Sequence, residues 1–137
     1  MKTLAKTVTT AMFAMGLMAA AGVAQAETQV KDPQKAAAET KKVRSVNYTC
    51  DQGKKVKVRY GFDKQGNPTY AEFKSDGKKR FMPLNLKHSN AASTTFGDEN
   101  SFNMGLSKPI SAKSYKSANA LILDPASQIQ YKNCKAR

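Results

Sequence analysis

The chain has 137 residues, with 23 Lys and Arg against 10 Asp and Glu, a formal net charge of +13, one His, two Cys and no Trp. So little His and Cys leaves no material for a His/Cys zinc site, and no glycine loop of the phosphate-cradling kind is present, so most enzyme classes are excluded. A chain this cationic favours acidic partners, such as anionic glycans, lipid headgroups, nucleic acid or an anionic cell surface.

Lys2 and Lys6 precede an uncharged run over 7–23 that ends in Ala24-Gln25-Ala26. A basic start, an apolar stretch and a small-x-small end predict a secretory signal peptide over 1–26. The stretch is too short and too rich in Gly and Ala for a permanent transmembrane segment, and no Cys follows it to accept a lipid. The mature chain is expected in the periplasm, at the outer-membrane surface, or both. Loss of Lys2 and Lys6 lowers its formal charge from +13 to +11. In an oxidising compartment Cys50 has one intramolecular partner, Cys134, near the end of the chain; two unpaired buried thiols are the alternative.

Residues 27–42 contain one large aliphatic side chain, Val30, and read as a flexible tail. Asp32-Pro33 starts a short helix at best, and a lone helix of that length is marginal in water. The domain is expected over 43–137. Its clearest element is 54–62, where Val56, Val58, Tyr60 and Phe62 alternate with Lys55, Lys57, Arg59 and Gly61, giving a strand with one buried and one cationic face. The turn at 63–68 leads into a strand over 69–74, and the turn at 75–77 into another over 78–86, with Pro83 at an edge or bulge. Shorter strands are expected over 91–96 and 101–106, resuming at 114–116 and 120–123. Flanking strands end at Cys50 and Cys134 and lie side by side. Regularly spaced short strands with no long apolar helical stripe predict an all-β fold, a small antiparallel β-barrel of about eight strands closed by one disulfide, with a sandwich as the alternative.

Few residues carry chemistry. His88 sits between polar neighbours and reads as a solvated loop residue, while most of the carboxylates lie in turns where local hydrogen bonding accounts for them. Lys55, Lys57 and Arg59 do not form a nucleic-acid platform, because period two puts Tyr60 and Phe62 on the opposite face. No enzyme activity, cofactor, metal or nucleic-acid partner is expected, and the protein is expected to be a monomer.

The pattern Val46-x-Tyr48-x-Cys50-x-x-Gly53, the strand from Lys54 on, Met82-Pro83-Leu84-Asn85-Leu86, Lys113-Ser114-Tyr115 and the terminal Tyr131-x-x-Cys134 resemble the bacterial inhibitors of c-type lysozyme, the MliC/PliC family. The resemblance covers residues 46–137. It implies an eight-stranded barrel, a Cys50–Cys134 bridge, export, and inhibition by loops inserted into the lysozyme cleft. That family's contacts are a Ser-Gly-x-x-Tyr loop and a Tyr-x-x-x-Thr-Lys-Gly segment. Phe96 is similar in place to the first Tyr, with Ala92 and Ser93 where Ser and Gly stand. Phe102 and Ser107-Lys108 are similar to the second motif, with one extra residue and Pro109 in place of Gly. The resemblance thus implies lysozyme contacts at Ser89, Ser93, Phe96, Phe102, Ser107, Lys108 and Tyr115. A cleft holding two carboxylates would be satisfied by a Lys ammonium and Ser hydroxyls. The alternative function, motivated by charge, is a cationic adhesin for host cells or anionic glycans.

Overall fold

The computed structural model describes residues 30–137; the expected signal peptide at 1–26 lies outside them. Eight strands follow in order: β1 (Lys42–Thr49), β2 (Lys55–Phe62), β3 (Pro68–Ser75), β4 (Lys78–Pro83), β5 (Thr94–Phe96), β6 (Asn103–Leu106), β7 (Ala120–Leu123) and β8 (Ile129–Ala136). They form one sheet in the order β4-β3-β2-β1-β8-β7-β6-β5, and every neighbouring pair is antiparallel. The two outer strands meet through the chain just past β4. Asn85 N donates to Thr95 O at 2.8 Å, Gly97 N donates to Pro83 O at 2.7 Å, and Leu84 bridges Phe96. Those bonds bring the sheet nearly to closure as a barrel, which consumes the exposed edges an open sheet would leave.

The alternation in β2 does what period two requires. Val56, Val58, Tyr60 and Phe62 enter the core while Lys55, Lys57 and Arg59 face out. Inside, the Tyr48 and Tyr60 hydroxyls meet at 2.5 Å, and Tyr60 packs on Phe62 and Phe96. Burial pushes the Tyr48 hydroxyl up to about 12 and raises Tyr60 well above the usual phenol value, because the interior penalises the phenolate.

First and last strands are neighbours, as expected, but their ladder is short. Tyr48 faces Ala136 and Thr49 faces Lys135. The next step in that register sets Cys50 opposite Cys134, and there the two sulfurs are bonded.

Four expectations change. The strand expected over 78–86 ends at Pro83, and the one expected at 91–96 is only Thr94–Phe96. Between them Asn90 Oδ1 accepts from the amides of Ala92 and Ser93, which diverts that backbone from a ladder. No strand forms at 114–116, because Ser111, Ser114 and Ser117 bond one another and the local backbone, curling 111–117 into turns. Residues 33–39, read as part of a tail, form helix α1 (Pro33–Glu39), which lies against β3 and β4 with Ala36 fully buried. Thr40 Oγ1 donates to Ala36 O and contacts Thr69 Oγ1, and Lys31 N donates to Leu84 O. Alanine and threonine make this attachment, so hydropathy gives no sign of it.

Candidate functional site

Antiparallel up-and-down order sends alternate connections to opposite ends of the barrel. The β2–β3 turn (63–67), the β4–β5 loop (84–93) and the β6–β7 loop (107–119) therefore gather at one end. Hydrogen bonds fix them there. Ala112 N donates to Gly66 O at 3.0 Å, joining the β6–β7 loop to the β2–β3 turn, and Ile110 N of the same loop donates to the buried Thr94 Oγ1 at 3.1 Å, tying it to the start of β5, where the β4–β5 loop ends. Asn85, 1% exposed, donates through Nδ2 to Gly97 O and accepts the His88 amide on Oδ1, so one buried amide holds both sides of the β4–β5 loop.

The residues expected to contact a partner divide into three groups. Ser93, Ser107 and Lys108 lie in the gathered loops, and Lys108 is exposed with no ion pair among the described residues. No hydrogen bond among the described residues engages the Ser93 hydroxyl, while Ser107 Oγ accepts the Asn119 amide and leaves its own proton free. Ser89 and Tyr115 belong to the same end in supporting roles. Ser89 Oγ donates to Thr95 O and accepts from Thr95 N, and Tyr115 packs its ring 6.0 Å from Phe62 at the end of the core.

Phe96 and Phe102 stand elsewhere. Phe96 is an inward residue of β5 with 0% exposure, so it offers no area to a rigid partner; the inward partners of its alternation are Thr94 and the β6 residue Met104. Phe102 precedes β6 and lies at the opposite end, edge-on to Phe73 at 5.6 Å and covered by the Arg80 guanidinium at 4.7 Å. Residue-type matching assigned both because a buried and an exposed aromatic look alike in sequence. Leu86, expected at the end of a strand, stands 47% exposed in the β4–β5 loop and presents an apolar side chain at that end. Its place beyond the true end of β4 was hidden by the alternation of Leu84, Asn85 and Leu86.

Among the described residues, no group of His, Cys, Asp and Glu is placed to hold a metal ion. No helix among them is long and apolar enough to cross a membrane. A small barrel stapled by one disulfide, with three anchored connections gathered at one end, belongs to the class of disulfide-closed antiparallel β-barrels. The chain is a member of the ACP-like domain family, whose description matches residues 44–136. Among solved structures it is similar to the Adhesin Complex Protein from Neisseria meningitidis, with 40% identity and a TM-score of 0.64, over 69% of this chain and 99% of that one. It shares its fold with PliC-St, the periplasmic inhibitor of C-type lysozyme from Salmonella typhimurium, with 19% identity and a TM-score of 0.51, over 70% of this chain and 99% of that one. No curated protein sequence matches it. The resemblance to the MliC/PliC type and the eight-stranded, disulfide-closed barrel are both met.

Proposed function

We propose that this protein is an exported inhibitor of c-type lysozyme that protects the bacterial cell wall by inserting the 84–93 and 107–119 loops into the lysozyme cleft. The observation that carries this reading is the convergence of Ser93, Ser107 and the unpaired Lys108 on one barrel end, on loops held by buried Asn85 and Thr94. An ammonium and two hydroxyls on a rigid end are suited to a cleft with two carboxylates, because a rigid loop loses little conformational entropy on docking. Leu86 takes over the apolar contact that Phe96, being buried, cannot make. Ser89 and Tyr115 support the loops.

Lysis of bacterial cell walls by a c-type lysozyme, followed by turbidity, tests the reading. A several-fold molar excess of the mature chain should slow lysis. Lys108→Ala should weaken inhibition by about 2 kcal/mol, or roughly thirtyfold, if the ammonium meets a desolvated carboxylate. Lys55→Ala, on the barrel wall, should leave it unchanged. Unslowed lysis at that excess refutes the proposal.

A second reading is favoured by the 40% identical relative, whose name describes an adhesin complex protein, and by the lysines displayed on β2, β3 and β4. In that reading the protein is a cationic surface module that binds host cells or anionic glycans.

A further inference from the structure

The β2–β3 ladder is incomplete. It runs from Phe62 opposite Pro68 to Arg59 opposite Glu72 and stops there, closed off by the Arg59 Nη1 to Glu72 Oε1 ion pair at 3.4 Å. Beyond that point residues 55–58 pair with β1 alone, and Phe73, Lys74 and Ser75 pair with β4 alone. The strands part to leave a cleft of about 480 Å³. Its rim carries exposed Lys55 and Lys57 from β2, Lys74 from β3 and Lys79 from β4. Its floor is Val56, Phe73 and Tyr131.

Two features call for an anion here. Lys74 and Lys79 are directly cross-strand partners, an arrangement that costs stability between like charges. The one carboxylate lining the cleft, Glu72, is engaged by Arg59, and none of the four ammoniums has an ion-pair partner among the described residues. The volume falls within the range of small-ligand sites.

We infer that this cleft binds an acidic saccharide, with its carboxylates or sulfates on the rim lysines and a sugar face on the apolar floor. The inference rests on the adhesin reading for the sign of the ligand's charge and adds the site and the ligand's chemistry. The unpaired strand edges offer both amide donors and carbonyl acceptors, which suits hydroxyls that do both. Single-stranded nucleic acid fits less well, because successive bases need successive exposed rings, whereas Tyr131 is the one partly exposed ring lining the cleft and Phe73 is buried. An inserted acidic peptide strand would send alternate side chains inward, into space that Val56, Phe73 and Tyr131 fill.

The test titrates the mature chain with a heparin-derived octasaccharide, and with neutral dextran as control, at about 150 mM salt. A Lys57→Ala/Lys74→Ala/Lys79→Ala variant is compared with a Lys87→Ala/Lys113→Ala/Lys116→Ala variant, which loses the same charge from the other end. The cleft variant should lose about tenfold or more in affinity for the octasaccharide and the control less than about threefold, with lysozyme inhibition unchanged in the cleft variant. In wild type, amide signals of Val56 and Tyr131 should shift on titration. Equal losses in the two variants, or shifts absent from Val56 and Tyr131, overturn the cleft while leaving the adhesin reading standing. Failure of wild type to bind the octasaccharide overturns the inference; failure to adhere to host cells as well overturns the adhesin reading too. Displacement of the octasaccharide by poly-glutamate or single-stranded DNA at lower concentration than by more octasaccharide overturns the saccharide assignment.

Discussion

Removing the Cys50–Cys134 bond should open the barrel at one particular seam. The two cysteines are 84 residues apart, so in the chain-entropy view the bond removes about 4 to 5 kcal/mol of freedom from the unfolded chain. A domain of this size has roughly 5 to 15 kcal/mol of stability in total. The native side sharpens the argument, because β1 pairs with β2 along its whole length but meets β8 only at Tyr48–Ala136 and Thr49–Lys135. Without the sulfur bridge, the β1–β4 half is joined to the β5–β8 half on this side by those two ladder pairs, the Arg137 N to Asn47 O bond, and the exposed side-chain bonds from Asn133 to Asp51 and from Lys54 to Gln130 O. A Cys50→Ala/Cys134→Ala variant should melt about 20 to 30 °C below the oxidised protein, at the usual 4 to 8 °C per kcal/mol for small domains. Both cysteines are buried, so some of that loss is cavity formation, and reduced wild type separates the two effects since it keeps both sulfurs. Hydrogen exchange supplies the local readout, with the amides of Thr49, Lys135 and Ala136 losing protection before those in the β1–β2 ladder. A reduced protein that melts within a few degrees of the oxidised one, with seam amides still protected, would refute the reasoning and show that core packing alone holds the seam.

Two further outcomes follow from the core and the outer wall. The raised hydroxyls of Tyr48 and Tyr60 mean the unfolded chain ionises near pH 10 while the folded chain keeps both protons, so their contribution is fully present below pH 10 and declines between about pH 10 and 12. Denaturant midpoints across that window should fall more steeply in wild type than in Tyr48→Phe/Tyr60→Phe, by up to about 1.4 kcal/mol per pH unit for each tyrosine, and parallel curves would contradict this. At Gly61 an added Cβ would run into the Tyr70 ring, which stacks on Phe81 at 4.6 Å, and would lie 2.7 Å from the buried Thr69 hydroxyl. Gly61→Ala should therefore cost about 1 to 3 kcal/mol in urea titration, and an unchanged midpoint would mean the ring moves aside freely.

The parts of the fold that were legible in the sequence are those in which local pattern and tertiary role coincide. In β2 a valine or aromatic at every second position is both a strand signal and the core itself. The cysteine pair was legible because one arrangement satisfied it. Helix α1 was not, since its attachment uses a single alanine methyl and a hydrogen bond between the Thr40 and Thr69 hydroxyls, far apart in the chain. The loop end was half legible. Ser107 and Lys108 lie in a loop, as Pro109 and the small polar residues around it indicate, but the burial of Phe96 depends on strand register, and a one-residue change of register exchanges inside for outside. The residues that shape the loops, Asn85 and Thr94, act through bonds to Gly97 and Ile110 that no short motif encodes.

This loop network bears on how a protein with a formal charge of +13 could bind another cationic protein. c-Type lysozymes of animals are commonly basic, so long-range steering opposes the encounter, and affinity must come from what the contact itself offers. Rigidity is the available source. In the proposed complex, loops whose backbones are already fixed by Asn85, Ser89 and Thr94 would bring Ser93 and Lys108 to the cleft without ordering them first. The cationic cleft between β2 and β3 has the opposite logic, since hydrated lysines on a wall attract a mobile polyanion from a distance and need little preorganisation. The two readings thus use different surfaces and different physics. The connecting loops gather at one end of the barrel, whereas the lysines line the gap where β2 and β3 separate toward the other, so occupation of one surface leaves the other open.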